Sequence, residues 1–176
     1  SSTVLASDGA GQLTFVPPDY QQIGEMISSS TSGTISVNNL PVRKMYTFDF
    51  YAPGVSAAMN VNIRFNADSG TNYTSRTEAG GTDAENLDNV SATSIIAQFT
   101  INNSVYVHGT VQNTTNSPKN LLSMYIAGAS AASGAPGKAQ VAGNWFSTAN
   151  ISSISFITST GTFNSGSRLT VYASKD

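Results

Sequence analysis

The chain has 176 residues, 10% of them charged, and a formal net charge of −2. That length suits one domain with a single core, and the charge leaves no basic field to attract nucleic acid or an anionic membrane. With no cysteine in the chain, disulfides and thiolate metal sites are excluded. Ser, Thr, Asn, Gly and Ala stand where Lys and Glu usually would, and these residues favour turns and strands over helices. No apolar run reaches the roughly 20 residues that a membrane-crossing helix needs. A chain starting at Ser1 rather than Met reads as a processed product or the ordered part of something longer. The low charge suits a protein that assembles with copies of itself.

Residues 1–33 read as an extended N-terminal arm or linker. Ser7 to Val16 is a turn followed by a short strand, ended by Pro17 and Pro18, because proline cannot donate to a ladder. Residues 21–26 are compatible with a short helical turn, and Ser28 to Gly33 is a flexible spacer by composition. From residue 34 the period becomes two. In residues 45–51, Met45, Thr47, Asp49 and Tyr51 face one way while Tyr46, Phe48 and Phe50 face the other. Residues 58–66 place Met59, Val61, Ile63 and Phe65 inward. Further strands fit 34–38, 94–101, 104–112, 121–127, 151–158 and 168–173. Short strands separated by turn residues predict an all-β sandwich or barrel, and about eight of them is the count of an antiparallel jelly roll. The predicted organisation is an arm over 1–33 and a jelly-roll β-sandwich over 34–176.

Candidate chemistry is sparse. His108 is the one histidine; it lacks a G-x-S-x-G elbow for a catalytic triad and partners for tetrahedral zinc, and reads as a strand histidine at a surface or subunit contact. Asp68, Glu78, Asp83, Glu85 and Asp88 cluster loosely with Asn86 and Asn89. Their spacing is not that of an EF-hand loop and reads as solvated turns. The aromatic residues raise a carbohydrate hypothesis: Tyr51, Tyr73, Tyr106, Tyr125, Trp145 and Tyr172 are available for stacking. Tyr73 and Trp145 sit at loop-like positions and are the candidate surface contacts, against the leading account of each as core or subunit interface. No residue set points to catalysis, a cofactor or a metal.

Two segments carry a resemblance. Ile63-Arg64-Phe65-Asn66-Ala67-Asp68-Ser69-Gly70-Thr71-Asn72-Tyr73 resembles the R-F-N-x-D-x-G-x-N-Y stretch of a family of tailed-bacteriophage virion structural proteins. That family ends with G-x-W-x-x-T-A-x-I-x-x-I, a G-x-F turn and G-S-x-hydrophobic-T-hydrophobic-Y. The matching residues are Gly143, Trp145, Thr148, Ala149, Ile151 and Ile154, then Gly161 and Phe163, then Gly166, Ser167, Leu169, Thr170, Val171 and Tyr172. Residues 111–122 are similar to its middle strands, where an Asn-rich turn precedes a lysine, and residues 4–13 to the linker before terminal modules of fibre-type proteins. The similarity runs in order from about residue 45 to 173. Family members commonly finish with Tyr-Gly where Tyr172-Ala173 stands here, which matters only if that position needs a positive φ. Phe146 after Trp145 is a second, bulky departure.

The resemblance implies a C-terminal jelly-roll module of a virion, non-enzymatic and displayed as a homotrimer on the phage head or tail. Its arm would dock on other virion proteins, and its role would be capsid decoration or that of a fibre component. The alternative it allows is a receptor-binding module whose loops contact host-surface glycans. Asn66, Asp68 and Asn72 suit Asx turns, and Trp145 suits a plug between sheets.

Overall fold

Period-two alternation makes strands wherever the inward set can meet a second layer, and the described residues form β-structure with no helix. The computed structural model describes residues 4–7, 13–16, 20–79, 86–101, 103–128 and 136–174. Its strands are β1 (Val4–Ser7), β2 (Leu13–Val16), β3 (Tyr20–Ile27), β4 (Thr34–Val37) and β5 (Met45–Ala52). β6 (Met59–Phe65), β7 (Tyr73–Ala79), β8 (Asn86–Ala92), β9 (Ile95–Ile101) and β10 (Val105–Gln112) follow. β11 (Lys119–Ala127), β12 (Gly137–Trp145), β13 (Ile154–Thr158) and β14 (Arg168–Ser174) complete the order.

Twelve of these strands form two antiparallel sheets, an eight-stranded one in the order β3-β14-β5-β10-β11-β12-β7-β8 and a four-stranded one in the order β4-β13-β6-β9. β1 and β2 pair separately as a hairpin. The pairs β3–β14, β4–β13, β5–β10 and β6–β9 match the first four sandwich strands with their later partners in reverse order. That is the pairing of one long hairpin rolled over itself. The fold is thus an antiparallel β-sandwich, and its larger sheet is widened by two inserted hairpins, β7–β8 and β11–β12.

The core lies between the sheets. β5 gives it Tyr46, Phe48 and Phe50, β6 gives Val61, Ile63 and Phe65, and β13 gives Ile154 and Phe156, all without solvent exposure. Phe50 stacks on Phe156 with centroids 4.2 Å apart and meets Phe163 edge-on at 5.0 Å. Such pairs add about 0.5–1.5 kcal/mol each beyond the area they bury. The inward faces predicted for residues 45–51 and 58–66 are those found. Gly109 on β10 stands where a Cβ would lie 2.5 Å from the Phe48 ring and 2.7 Å from Ser123, so those two side chains already fill the space that a side chain would need.

The N-terminal boundary differs from the expected one. Residues 21–26 are not a helical turn, because β3 pairs with β14 along its length. Ser28 is not part of a loose spacer either: it is buried, its N–H donates to the Ser167 carbonyl, and its own carbonyl accepts from Gly166 N–H. The sandwich therefore begins at Tyr20 rather than residue 34. β3 was hidden because it is an edge strand that buries little of its own side-chain surface and owes its place to the ladder offered by β14.

Candidate functional site

The two segments that carry the resemblance meet at one junction, with Tyr73 and Trp145 buried at its base. After β6 the chain turns through Asn66 and Ala67, both at φ 53°, with Asp68 N–H closing on the Phe65 carbonyl at 2.9 Å. Asn tolerates this left-handed conformation better than most residues. The Asn66 amide oxygen accepts from Ser152 N–H at 2.7 Å and Ser153 N–H at 3.1 Å, while its Nδ2 donates to the Asn150 carbonyl. One side chain thereby satisfies a loop that has no ladder of its own.

Asp68 joins the same junction to the tryptophan. Trp145 Nε1–H donates to Asp68 Oδ2 at 2.7 Å, Asn72 Nδ2 donates to Oδ2 at 3.0 Å, and Gly70 N–H donates to Oδ1 at 2.8 Å. Burial pushes the carboxyl up, but these donors and the positive charge of Arg64 outweigh it and hold Asp68 below its ordinary value. Tyr73 faces Trp145 in register across β7–β12 and stacks on it at 6.2 Å. Its hydroxyl accepts from Phe65 N–H at 3.1 Å. Desolvation, with the Asp68 charge adding to it, pushes the Tyr73 phenol up to about 12.

Tyr73 and Trp145 are therefore not surface contacts. Tyr73 is 0% and Trp145 2% exposed, since both lie at strand ends that turn inward to close the sandwich. The hydrogen bonds of the junction tie the turn between β6 and β7 to β12 and the loop that follows it.

The outward face of the eight-stranded sheet has a different character. β14, β5 and β10 lie side by side, and their register builds three rows: Arg168, Tyr51 and Tyr106; Thr170, Asp49 and His108; Tyr172, Thr47 and Thr110. Asp49 Oδ1 accepts from the Tyr106 hydroxyl at 2.6 Å and lies 2.8 Å from His108 Nδ1. Burial, reinforced by the Asp49 carboxylate, pushes the Tyr106 phenol up to about 12. The next strand, β11, turns Leu122, Met124 and Ile126 to the same side, at 58%, 51% and 50% exposure. Beyond the apolar column an amide ladder crosses the sheet: Asn144 Nδ2 donates to Asn120 Oδ1, and Asn120 Nδ2 to Gln112 Oε1.

His108, expected on a strand at a surface or subunit contact, lies on an exposed strand face. Sequence reading missed the Asp49–His108–Tyr106 cluster, because nothing local sets β5 against β10 in this register. Tyr51, Tyr106 and Tyr172 had been named as aromatic candidates, and they prove to share one face. Of the acidic residues, Asp88 pairs with Arg76 at 2.8 Å; Asp83 and Glu85 lie outside the described residues. Among the described residues no group of three or more His, Asp or Glu could hold a metal ion, and no helix is long and apolar enough to cross a membrane.

No family model and no curated protein matches the chain. Among solved structures it is similar to the CBM2 module of the evolved Dit of Lactobacillus casei BL23 phage J-1, at 12% identity over 88% of this chain and 77% of that one, with a TM-score of 0.21. So loose a superposition carries no argument about function.

Proposed function

We propose that the chain is a non-enzymatic structural protein of a tailed-bacteriophage virion. It self-associates as a homotrimer, attaches to other virion proteins through its N-terminal residues, and serves in capsid decoration or as a fibre component. One observation carries this reading: the apolar column of Leu122, Met124 and Ile126 at the middle of a broad sheet face. Exposed aliphatic side chains grouped inside a polar rim mark protein contact surfaces. The assignment to a virion draws support from the sequence resemblance, whose two motif segments turn out to be joined by Asp68–Trp145 and Asn66–Ser152. Light scattering on purified protein should return three times the mass of the chain, and Leu122→Glu should return the monomer; a monomeric wild type at micromolar concentration would refute the assembly. Electron microscopy of virions then decides the place, hundreds of copies on the head lattice meaning decoration and a few trimers on the tail meaning a fibre.

A receptor-binding role is the second reading, favoured by the exposed tyrosines beside Asp49 and His108. It does not exclude the first, since a displayed trimer can also adhere.

A further inference from the structure

We propose that the outward face of β14, β5 and β10 binds a neutral hexopyranose oligosaccharide, with Tyr51 and Tyr106 as the stacking platform and Asp49 and His108 as the hydrogen-bonding row. The inference rests on the receptor-binding reading and gives that reading a site and a ligand class.

Tyr51 and Tyr106 stand directly opposite each other in the β5–β10 register and keep 42% and 41% of their surface in water. Tyrosine at such a position offers an apolar ring face with a polar tip, which suits the C–H face of a pyranose and its hydroxyl rim together. The adjoining row supplies a carboxylate acceptor. Asp49 is already held by Tyr106 and His108, so a ligand meets a preformed cluster and little side-chain entropy is lost on binding. With Nδ1 of His108 turned to Asp49, Nε2 is the ring nitrogen left for a sugar hydroxyl. Arg168 borders the site on β14, while Thr170 is buried with its hydroxyl donating to Glu25.

Shape and charge narrow the ligand. Adjacent strands lie about 5 Å apart, so three of them make a flat strip about 10 Å wide, which fits the side of an extended oligosaccharide better than a lone monosaccharide. The carboxylate lies at the centre of the strip and the guanidinium of Arg168 only at its edge, so the centre disfavours uronates and sialosides and suits neutral sugars, whose hydroxyls can donate to it. The β11 column bounds the site, because the Leu122 and Ile126 side chains carry no hydrogen-bonding atom and the Met124 sulfur already accepts from Gln140 Nε2.

The test is saturation-transfer NMR and calorimetry on the full chain with maltohexaose, cellohexaose, mannohexaose and chitohexaose, with polygalacturonate as the anionic control. At least one neutral hexamer should bind and polygalacturonate should not. Tyr51→Ala and Tyr106→Ala should each weaken binding at least tenfold, and so should the nearly isosteric Asp49→Asn, which keeps the test valid if an alanine variant fails to fold. Val90→Ser, on β8, should leave it unchanged. Absence of binding to all four neutral hexamers, or undiminished binding by a folded Asp49→Asn and Tyr51→Ala, would overturn the proposal. Virion location is measured separately: a virion protein that binds no hexamer sinks this inference alone, and a hexamer binder absent from virions sinks the structural reading alone.

Discussion

At the residue scale the junction around Asp68 concentrates the polar cost of the fold. Trp145 is the largest fully buried side chain, and its indole N–H has Asp68 as its acceptor. Trp145→Ala should therefore cost about 3–5 kcal/mol, read by urea denaturation as a fall in midpoint without a change in slope. The carboxylate adds a pH signature. Because the folded chain holds Asp68 below its ordinary value, its contribution is present above the unfolded pKa near 4 and is lost as pH falls through the folded value. The phenol of Tyr73 has the mirror behaviour: raised to about 12, it favours the folded state below pH 10 and loses that advantage as pH climbs to 12. Denaturation midpoints followed over pH 10–12 should fall less steeply for Tyr73→Phe than for the wild type.

At the element scale, Lys119 shows how a turn can depend on one inward side chain. It opens β11 with no solvent exposure, and burial pushes its ammonium down. Its Nζ donates to the Thr114 carbonyl at 2.6 Å and the Ser117 carbonyl at 2.7 Å, so the lysine closes the Asn-rich turn before its own strand. Lys119→Met keeps the stem but strands both carbonyls, and should cost about 2–4 kcal/mol in thermal or urea unfolding. The same scale shows why some strands were illegible. β5, β6 and β10 announce themselves because their inward residues are large and apolar. β7 and β12 put Ser75, Thr77, Ala139 and Gly143 inward, and β8 is an edge strand with little to bury. Hydrophobic period is their missing signal, and their backbone ladders to β11 and to each other replace it.

At the scale of the molecule, the wide sheet divides its two faces between stability and contact. One face meets the four-stranded sheet; the other shows the tyrosine grid, the apolar column and the amide ladder. β3 closes one edge of that sheet by covering β14, while β1 and β2 pair only with each other. Removal of residues 1–19 should therefore leave the melting temperature within about 2 °C of wild type. Removal of residues 1–27 should lower stability by at least about 3 kcal/mol, since a ladder of several bonds worth about 0.5–1.5 kcal/mol each is lost with it. Equal melting temperatures for the two truncations would show that the sandwich does not need its first strand.

The all-β class, the inward faces of residues 45–51 and 58–66, the surface position of His108 and the Asx turn of Asp68 to Gly70 N–H were written in the sequence, because period, residue size and turn chemistry act over a few neighbours. Ala173 in place of glycine also proves harmless, as it is an ordinary strand residue without positive φ. The tertiary structure alone decided between core and surface contact for Tyr73 and Trp145, which the sequence left open, and showed that residues 20–27 belong to the sandwich and that Asp49, His108 and Tyr106 form one cluster. Each of those outcomes depends on which strands pair and in what register, a choice made by contacts between residues far apart in the chain, from Ala52 with Val105 to Tyr20 with Ser174, and no local pattern encodes it.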